Sequence, residues 1–510
     1  MATTPYFVLG PATILSTLGL MRGPDRTKPT PAEDWRTAVV DVIIPALNEE
    51  EHIALCLASV LRQTLRPRQI VLVDDGSTDR TIEIAEAFCR HHHLNLVSIR
   101  RRKPIGKTPT IKRQARELDS DVEFILDADT VLESDNYIER AVQELYQGVG
   151  IASACGTIVP LRRKDRRRLN DSPEMRRFRL RFPSDIHPRE RGWLRDLSAG
   201  VTNLYREVLY LFLQRFVYHG QMVFFGTITN PVGCAVAYRR KYVQRLFDHF
   251  GPIFGDDLTN SEDIFIGLAM LNEGYRNIQL TDVTARTVEP EVQRLPRQVY
   301  LWSSAFLQSC YYFDPLLKSP FKAIKRRLRP RQRTAGQAAR APHQPALAYA
   351  DAGVQLGGPI SYSLPSRRDV QPADRRSIRG VEQPAQRGGA ERRVVREPYR
   401  QAFGRDRTLE FGRPAGWMLM MSAVEKVFLP TALIIMIILR NWEGLAMTIA
   451  AETLIGLLDL AIIMKGRRLE YVFKGLMVVP IRYGLMTSEL VTMARFGSDL
   501  WITNNRKWRK

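Results

Sequence analysis

The sequence predicts an α/β domain with a mostly parallel sheet, flanked by membrane-spanning helices on its N- and C-terminal sides. Three observations predict it. Between residues 39 and 281, short β-branched apolar runs alternate with helix-periodic stretches. Those runs are almost continuously apolar, as parallel strands covered on both faces must be. Beyond residue 413, the runs 417–439 and 444–464 are apolar and long enough for a hydrocarbon layer of about 30 Å.

Four regions follow from this reading: 1–37, a membrane anchor and linker; 38–330, the α/β domain with interfacial helices; 331–412, a disordered insertion or linker; and 413–510, a transmembrane and interfacial region. Residues 6–21 are uncharged and mostly apolar, but the run is short and contains Pro11. No positive side chain precedes it and no small-residue cleavage site precedes Arg22. A short or tilted anchor fits better than a signal peptide. Strands are expected at 39–47, 69–75, 94–99 and 122–126, with helices at 49–62 and 79–90 between them. Ligands of such sheets bind at the carboxyl ends of the strands. Residues 162–195 are dense in arginine, as a solvated loop or as a contact to lipid headgroups or phosphates. Residues 204–225 read as a buried or interfacial helix. In 331–412, Arg, Gln, Ala, Pro and Gly dominate without an apolar period, too little to offset the entropy of ordering.

The two C-terminal runs carry Glu425, Lys426, Glu452 and Asp459, so a buried soluble bundle is the competing reading. Arg413, Arg440 and Lys465-Gly466-Arg467-Arg468 bracket the runs and favour membrane. A third run, 471–496, is interrupted by Lys474 and Arg482 and is expected to lie in the interface or to re-enter. The positive-inside rule places Arg22, Arg26 and Lys28, Lys465 to Arg468, and the basic tail 506–510 in the cytoplasm, with 441–443 outside. The expected location is therefore the cell membrane, multi-pass, with the α/β domain cytoplasmic.

The formal charge is +21, from 75 Lys+Arg against 54 Asp+Glu. Such a surplus favours anionic partners, but no nucleic-acid-binding module accompanies the basic stretches. No nucleic acid is expected as a partner. Membrane lipids are. The five cysteines form no C-x-x-C pair, so neither a disulfide framework nor a zinc site is indicated, and a reducing compartment fits.

Chemistry concentrates in three places. Phe124-Ile125-Leu126-Asp127-Ala128-Asp129 ends an apolar strand in two carboxylates one residue apart. Side chains two apart on an extended chain point the same way, so both can converge on one hard cation, Mg2+ or Mn2+. The bland alternative is a turn with helix-capping aspartates. Val73-Asp74-Asp75-Gly76-Ser77-Thr78-Asp79 runs from a strand into an acidic turn, where Asp74 and Asp75 can accept from a base or ribose and Thr78 or Asp79 can cap the next helix. The third is Ser261-Glu262-Asp263, opening a helical run to Gly274-Tyr275.

With Val42-Ile43-Ile44-Pro45-Ala46-Leu47-Asn48-Glu49 added, these motifs in this order resemble the family 2 inverting glycosyltransferases, over roughly residues 38–310. The resemblance implies the nucleotide-sugar-binding GT-A type of fold. It places Glu49, Asp74 and Asp75 near the nucleoside, Asp127 on the donor nucleotide, Asp129 on the metal, and Lys107 near the donor. It makes an acidic residue of the third motif the general base. Spacing to Gly274-Tyr275 selects Asp263, with Glu262 beside it and Asp257 as rival. The expected partners are a nucleotide-sugar donor, by resemblance a UDP-sugar, and a saccharide or lipid-linked acceptor.

The resemblance extends to the membrane-embedded hyaluronan, chitin and cellulose synthase branch, whose processive members carry Q-x-x-R-W. Here Gln298 and Trp302 match, as substrate-binding residues, but Leu301 replaces the arginine. Arg294 or Arg297 is the expected substitute. Three readings stand: a synthase extending a polysaccharide or glycolipid, a single-transfer enzyme acting on a lipid carrier, and a non-catalytic nucleotide-sugar-binding relative.

Overall fold

A computed structural model of the chain describes residues 10–22, 34–147, 150–182, 193–254, 261–328 and 414–502. Asp257, the 331–412 segment, Arg26, Lys28 and the 506–510 tail lie outside these residues.

One eight-stranded sheet organises residues 40–287, in the order β3-β2-β1-β4-β7-β6-β8-β5. Its strands are β1 (Val40–Ala46), β2 (Gln69–Asp74), β3 (Leu96–Arg100), β4 (Val122–Leu126), β5 (Thr130–Leu132), β6 (Ile151–Pro160), β7 (Ala235–Arg239) and β8 (Arg276–Thr287). Four of the seven pairings are parallel, and the rest, β4–β7, β6–β7 and β5–β8, are antiparallel. The four predicted strands are β1 to β4, and Val42, Ile43, Ile44, Leu72, Val73, Phe124 and Ile125 are all buried in the core. Helices α2 (Ile53–Leu61), α3 (Thr81–His91), α4 (Lys107–Glu117) and α5 (Tyr137–Tyr146) connect and cover these strands.

The mixed part of the sheet determines where the polar residues meet. In register, Ala46 lies beside Asp74, so β1 and β2 end together. Antiparallel β7 begins at Ala235 opposite Leu126, which brings the preceding Gly233 and Cys234 back to the same edge. Thr130 pairs with Thr287, so the end of β8 arrives there as well.

The arginine-rich stretch forms α6 (Arg163–Asn170) and α7 (Pro173–Arg181), then the start of α8 (Trp193–Phe212). Three of its arginines pair with acidic residues elsewhere in the fold, Arg166 with Glu51, Arg168 with Glu133 and Arg162 with Glu207, while Arg163, Arg167, Arg176 and Arg177 are exposed. The helix expected at 204–225 is α8 followed by a π-helical turn (Leu213–Val217) and α9 (Tyr218–Phe225). Helices α10 (Arg240–Phe254), α11 (Glu262–Glu273), α12 (Leu295–Tyr312), α13 (Asp314–Leu317) and α14 (Ser319–Leu328) follow.

At the C-terminal side stand α15 (Pro414–Ile438), α16 (Trp442–Ile463) and α17 (Arg468–Gly497). Ala415–Ile438 and Trp442–Ile463 are long and apolar enough to cross a membrane. The third run is one continuous 30-residue helix, carried through Pro480, that packs on α12 and α16. Its charges are paired with neighbours, Arg482 with Glu452 and Glu489 with Lys426. The described N-terminal helix, α1 (Pro11–Arg22), has 12 residues. That is about 18 Å at 1.5 Å per residue, short of a bilayer span. It packs on α9 and α15. A Cβ on Gly19 would sit 2.9 Å from the Gly220 Cα, and Thr13 Oγ1 donates to Glu425 at 2.8 Å.

Candidate active site

The edge where β1, β2 and β4 end is laced by short polar contacts. Asn48 takes a left-handed backbone, φ 57°, and its side-chain oxygen accepts from Thr78 N at 2.9 Å. Its own N–H donates to Ser77 Oγ, and Glu49 N donates to Thr81 Oγ1. Glu49 then faces the edge with Oε2 2.9 Å from His52 Nδ1. Asp79 accepts from Thr81 N, so it serves the first turn of α3.

Asp74 and Asp75 build the turn itself. Asp74 is fully buried and accepts from Ser77 N. Asp75 accepts from Arg101 at 3.0 Å, from Ile105 N and from Gly106 N at 2.7 Å. Gly106 has φ +96°, a region costly for other residues, and precedes α4. Asp75 thereby fixes the loop that delivers Lys107.

Lys107 is the hub. Its Nζ lies 2.6 Å from Asp127 Oδ1 and 2.8 Å from Glu262 Oε1, and donates to Gly233 O at 3.0 Å. All three acceptors come from different elements, so this one ammonium ties the ends of β4 and α11 to the approach to β7. Burial works against the lysine charge, but Asp127 and Glu262 outweigh it and hold the ammonium well above the usual lysine range. Asp127 is pushed up by burial, against the pull of Lys107. Asp129 lies deeper in uncompensated charge. Burial, then Asp127 and Glu49, push its carboxyl up to about 8. Thr130 and Thr287 hydroxyls donate to its Oδ1 at 3.2 and 3.5 Å.

Asp263 stands in the first turn of α11. Ser261 Oγ and Ile264 N both donate to its Oδ1. Its Oδ2 is turned toward Gly233, where an added Cβ would lie 3.1 Å away. Burial and the neighbouring Glu262 push the carboxyl up to about 6, eased by Ser261 and Lys107.

Glu49, Lys107, Asp127, Asp129, Glu262 and Asp263 thus gather at one edge, while Asp74 and Asp75 support it from behind. Gln298 and Trp302 are on α12, and both turn to Arg206 of α8 rather than to the carboxylates. Gln298 Oε1 accepts from Arg206 Nη2, and the guanidinium sits 4.4 Å from the Trp302 ring centroid. Arg294 and Arg297, the expected substitutes for the missing arginine, are exposed. Sequence reasoning missed Arg206, because it lies about ninety residues before the motif it contacts. It also missed Gly233 as a packing partner of Asp263. The only signal for Arg206 was the gap at Leu301.

Among the described residues, no group of three or more His, Cys, Asp or Glu side chains is placed to hold a metal ion. Two carboxylates, Asp127 and Asp129, face one edge, and Asp129 is raised by burial and then by the negative charge of Asp127 and Glu49. This donor set fits Mg2+ or Mn2+ bound through one or two carboxylates, with substrate phosphates and waters completing the shell.

Residues 41–247 match glycosyl transferase family 2. An N-acetylglucosaminyltransferase of Azorhizobium caulinodans is 26% identical over 261 residues, 50% of this chain and 56% of that protein. An undecaprenyl-phosphate 4-deoxy-4-formamido-L-arabinose transferase of Pectobacterium carotovorum is 30% identical over 115 residues, 22% of this chain and 35% of that protein. The chain thus spans about half, or a third, of the length of these curated relatives. Among solved structures, a mannosyltransferase of Pyrobaculum calidifontis in complex with GDP-Man and Mn2+ is 15% identical, with a TM-score of 0.46 over 96% of this chain and 95% of that one.

Proposed function

We propose, on the premise that residues 41–247 of this chain are a glycosyl transferase family 2 domain, that the protein is a membrane glycosyltransferase. It transfers a sugar from a nucleotide-sugar, a UDP-sugar, to a growing polysaccharide or glycolipid, with inversion at the anomeric carbon. The observation that carries this reading is the Lys107 bridge between Asp127 and Glu262. It holds a donor-side carboxylate and the base-side helix turn in one cluster.

In this mechanism, Asp263 takes the proton of the acceptor hydroxyl at Oδ2, the oxygen that Ser261 and Ile264 leave uncommitted. The acceptor oxygen forms its bond to the anomeric carbon as the bond from that carbon to the phosphate oxygen breaks, and the electron pair leaves with the nucleoside diphosphate. Asp129 and Asp127 would hold Mg2+ or Mn2+, which supplies charge neutralisation for the leaving diphosphate. Lys107 holds Asp127 in place and adds positive charge on the donor side. Asp74 and Asp75 act by shaping the nucleoside edge, Glu49 by facing it. Gln298 and Trp302 serve the substrate from α12. The helices α15 and α16 anchor the enzyme as candidate spans, with the α/β domain on the cytoplasmic side, the side that the positive-inside rule favours.

The test is a donor screen on purified protein in nanodiscs, reading nucleoside diphosphate release with Mn2+, with Mg2+ and after chelation. Release from one donor, lost on chelation and restored by either ion, is expected. Turnover that ignores chelation would sink the metal assignment, and silence toward every donor would sink the activity.

Leu301 favours a second reading, single transfer to a lipid carrier. Product length separates the two: one added sugar per acceptor supports single transfer, and a ladder supports polymerisation.

A further inference from the structure

We infer that Arg206 of α8 is a positioning residue for Gln298 and Trp302, filling from another helix the place that Leu301 leaves empty on α12. The inference rests on the reading that Gln298 and Trp302 face substrate.

Arg206 is fully buried, whereas Gln298 and Trp302 are partly exposed. A guanidinium withdrawn from water needs partners. It finds one hydrogen bond, one ring and one ion pair, while Nε and Nη1 have no hydrogen-bond partner. Nη2 donates to Gln298 Oε1, the ring of Trp302 lies 4.4 Å from Cζ, and Nε is 3.6 Å from Glu289 Oε2. Tyr210 OH also donates to Glu289 Oε2, at 3.4 Å. Arginine carries donors only, so the amide of Gln298 must turn its oxygen inward. Its NH2 group is thereby directed away from Arg206, as a donor for a hydroxyl or phosphate oxygen.

Gln298 and Trp302 are four residues apart and share one face of α12. Leu301 lies between them in sequence, three residues past Gln298. An arginine there would approach the same pair from the helix's own backbone. Arg206 approaches it from α8, beneath. The contact also reaches the carboxylate edge: Val288 N donates to Asp129 O at 3.3 Å, and Glu289 is the next residue. Arg206 therefore couples the α12 face to the strand end that holds Asp129. A lysine at 206 would neither stack on Trp302 nor match this fork of contacts.

The test uses the full chain in nanodiscs with two readouts. The first is the Trp302 fluorescence component, taken as wild type minus Trp302→Phe, under acrylamide quenching. The second is steady-state UDP release from UDP-N-acetylglucosamine. Arg206→Met is expected to raise Trp302 quenching about twofold and substrate KM about tenfold, with kcat within about threefold. Arg206→Met with Leu301→Arg should recover most of both, because the cation returns to the same pair. Arg206→Lys should recover little. Gln298→Glu keeps an acceptor for Arg206 but loses the NH2 donor, so KM should rise while Trp302 quenching stays native. Unchanged quenching in Arg206→Met, or no recovery by Leu301→Arg at a matched melting temperature, overturns the inference. If Arg206→Met does not fold, an unchanged KM in Gln298→Glu overturns it. Gln298→Ala and Trp302→Ala separate the layers. If neither moves KM, the substrate-facing reading itself fails. If both raise KM while Arg206→Met does not, only the positioning role fails.

Discussion

Lys107 and Asp127 are joined at 2.6 Å, the first residue of α4 to the first residue after β4. The same ammonium lies 2.8 Å from Glu262. Removing it leaves two half-buried carboxylates, Asp127 and Glu262, without their shared cation. Lys107→Met should therefore lower kcat by about a hundredfold or more, the scale of losing one charge-stabilising group. Lys107→Arg, whose planar fork cannot replicate three contacts around a point charge, should recover only part of it. Wild-type turnover in Lys107→Met would remove this residue from the site.

The pH dependence follows from Asp263. As a base it works only when ionised, and its carboxyl is pushed up to about 6. The rate should fall as pH drops through about 6, approaching tenfold per unit below it. The same shift has a stability consequence of opposite sign. The folded value is raised above the ordinary 3.8, so the stabilising contribution is complete below that value and is lost as pH rises through about 6. Asp263→Asn should thus be inactive and melt higher than wild type at pH 8. An active Asp263→Asn enzyme would transfer the base role elsewhere, with Asp257 the first candidate.

Much of this site was legible because its signals are local. Asp127 and Asp129 follow a five-residue strand that is apolar except for Glu123, and Asp74-Asp75-Gly76-Ser77 closes another, so period and turn chemistry alone put them at strand ends. Lys107 was legible only through resemblance, since nothing in Gly106-Lys107-Thr108 says which carboxylates it meets. The antiparallel strands were not legible. β7 and β8 are separated from their partners β4 and β5 by more than a hundred residues, and a buried strand reads the same in either direction. That is why the approach of Gly233 to Asp263, and of Thr287 to Asp129, went unnoticed. Arg206 was hidden for the same reason. An arginine inside an aromatic helix gives no sign of a partner on α12.

Gly233 offers a steric test of the base. A Cβ there would come 2.9 Å from Asp263 Cβ and 3.1 Å from its Oδ2. Gly233→Ala must displace the carboxylate by a few tenths of an ångström while leaving Asp129 untouched. Catalysis is sensitive to misplacement on this scale. The expected outcome is a kcat loss of about ten- to a hundredfold with donor KM nearly unchanged. A rise in donor KM without a kcat loss would place Asp263 on the donor side instead.

Glu123 lies away from the site, in the middle of the sheet, between Asp41 of β1 and Tyr238 of β7. It is fully buried, and neither carboxyl oxygen has a hydrogen-bond partner. Burial pushes it from 4.5 up to about 8, with Arg240 pulling it down and Asp41 adding to the rise. At neutral pH the folded protein therefore carries it protonated, while the unfolded chain has it ionised. Stability is complete below about 4.5 and is lost as pH climbs through about 8. Glu123→Gln removes the titration and keeps the shape. Its unfolding free energy should match wild type near pH 5 and exceed it increasingly toward pH 9, by on the order of 1 kcal/mol per pH unit between the two values. A gap between the two proteins that stays constant from pH 5 to 9 would mean that Glu123 is ionised or solvated in the folded state.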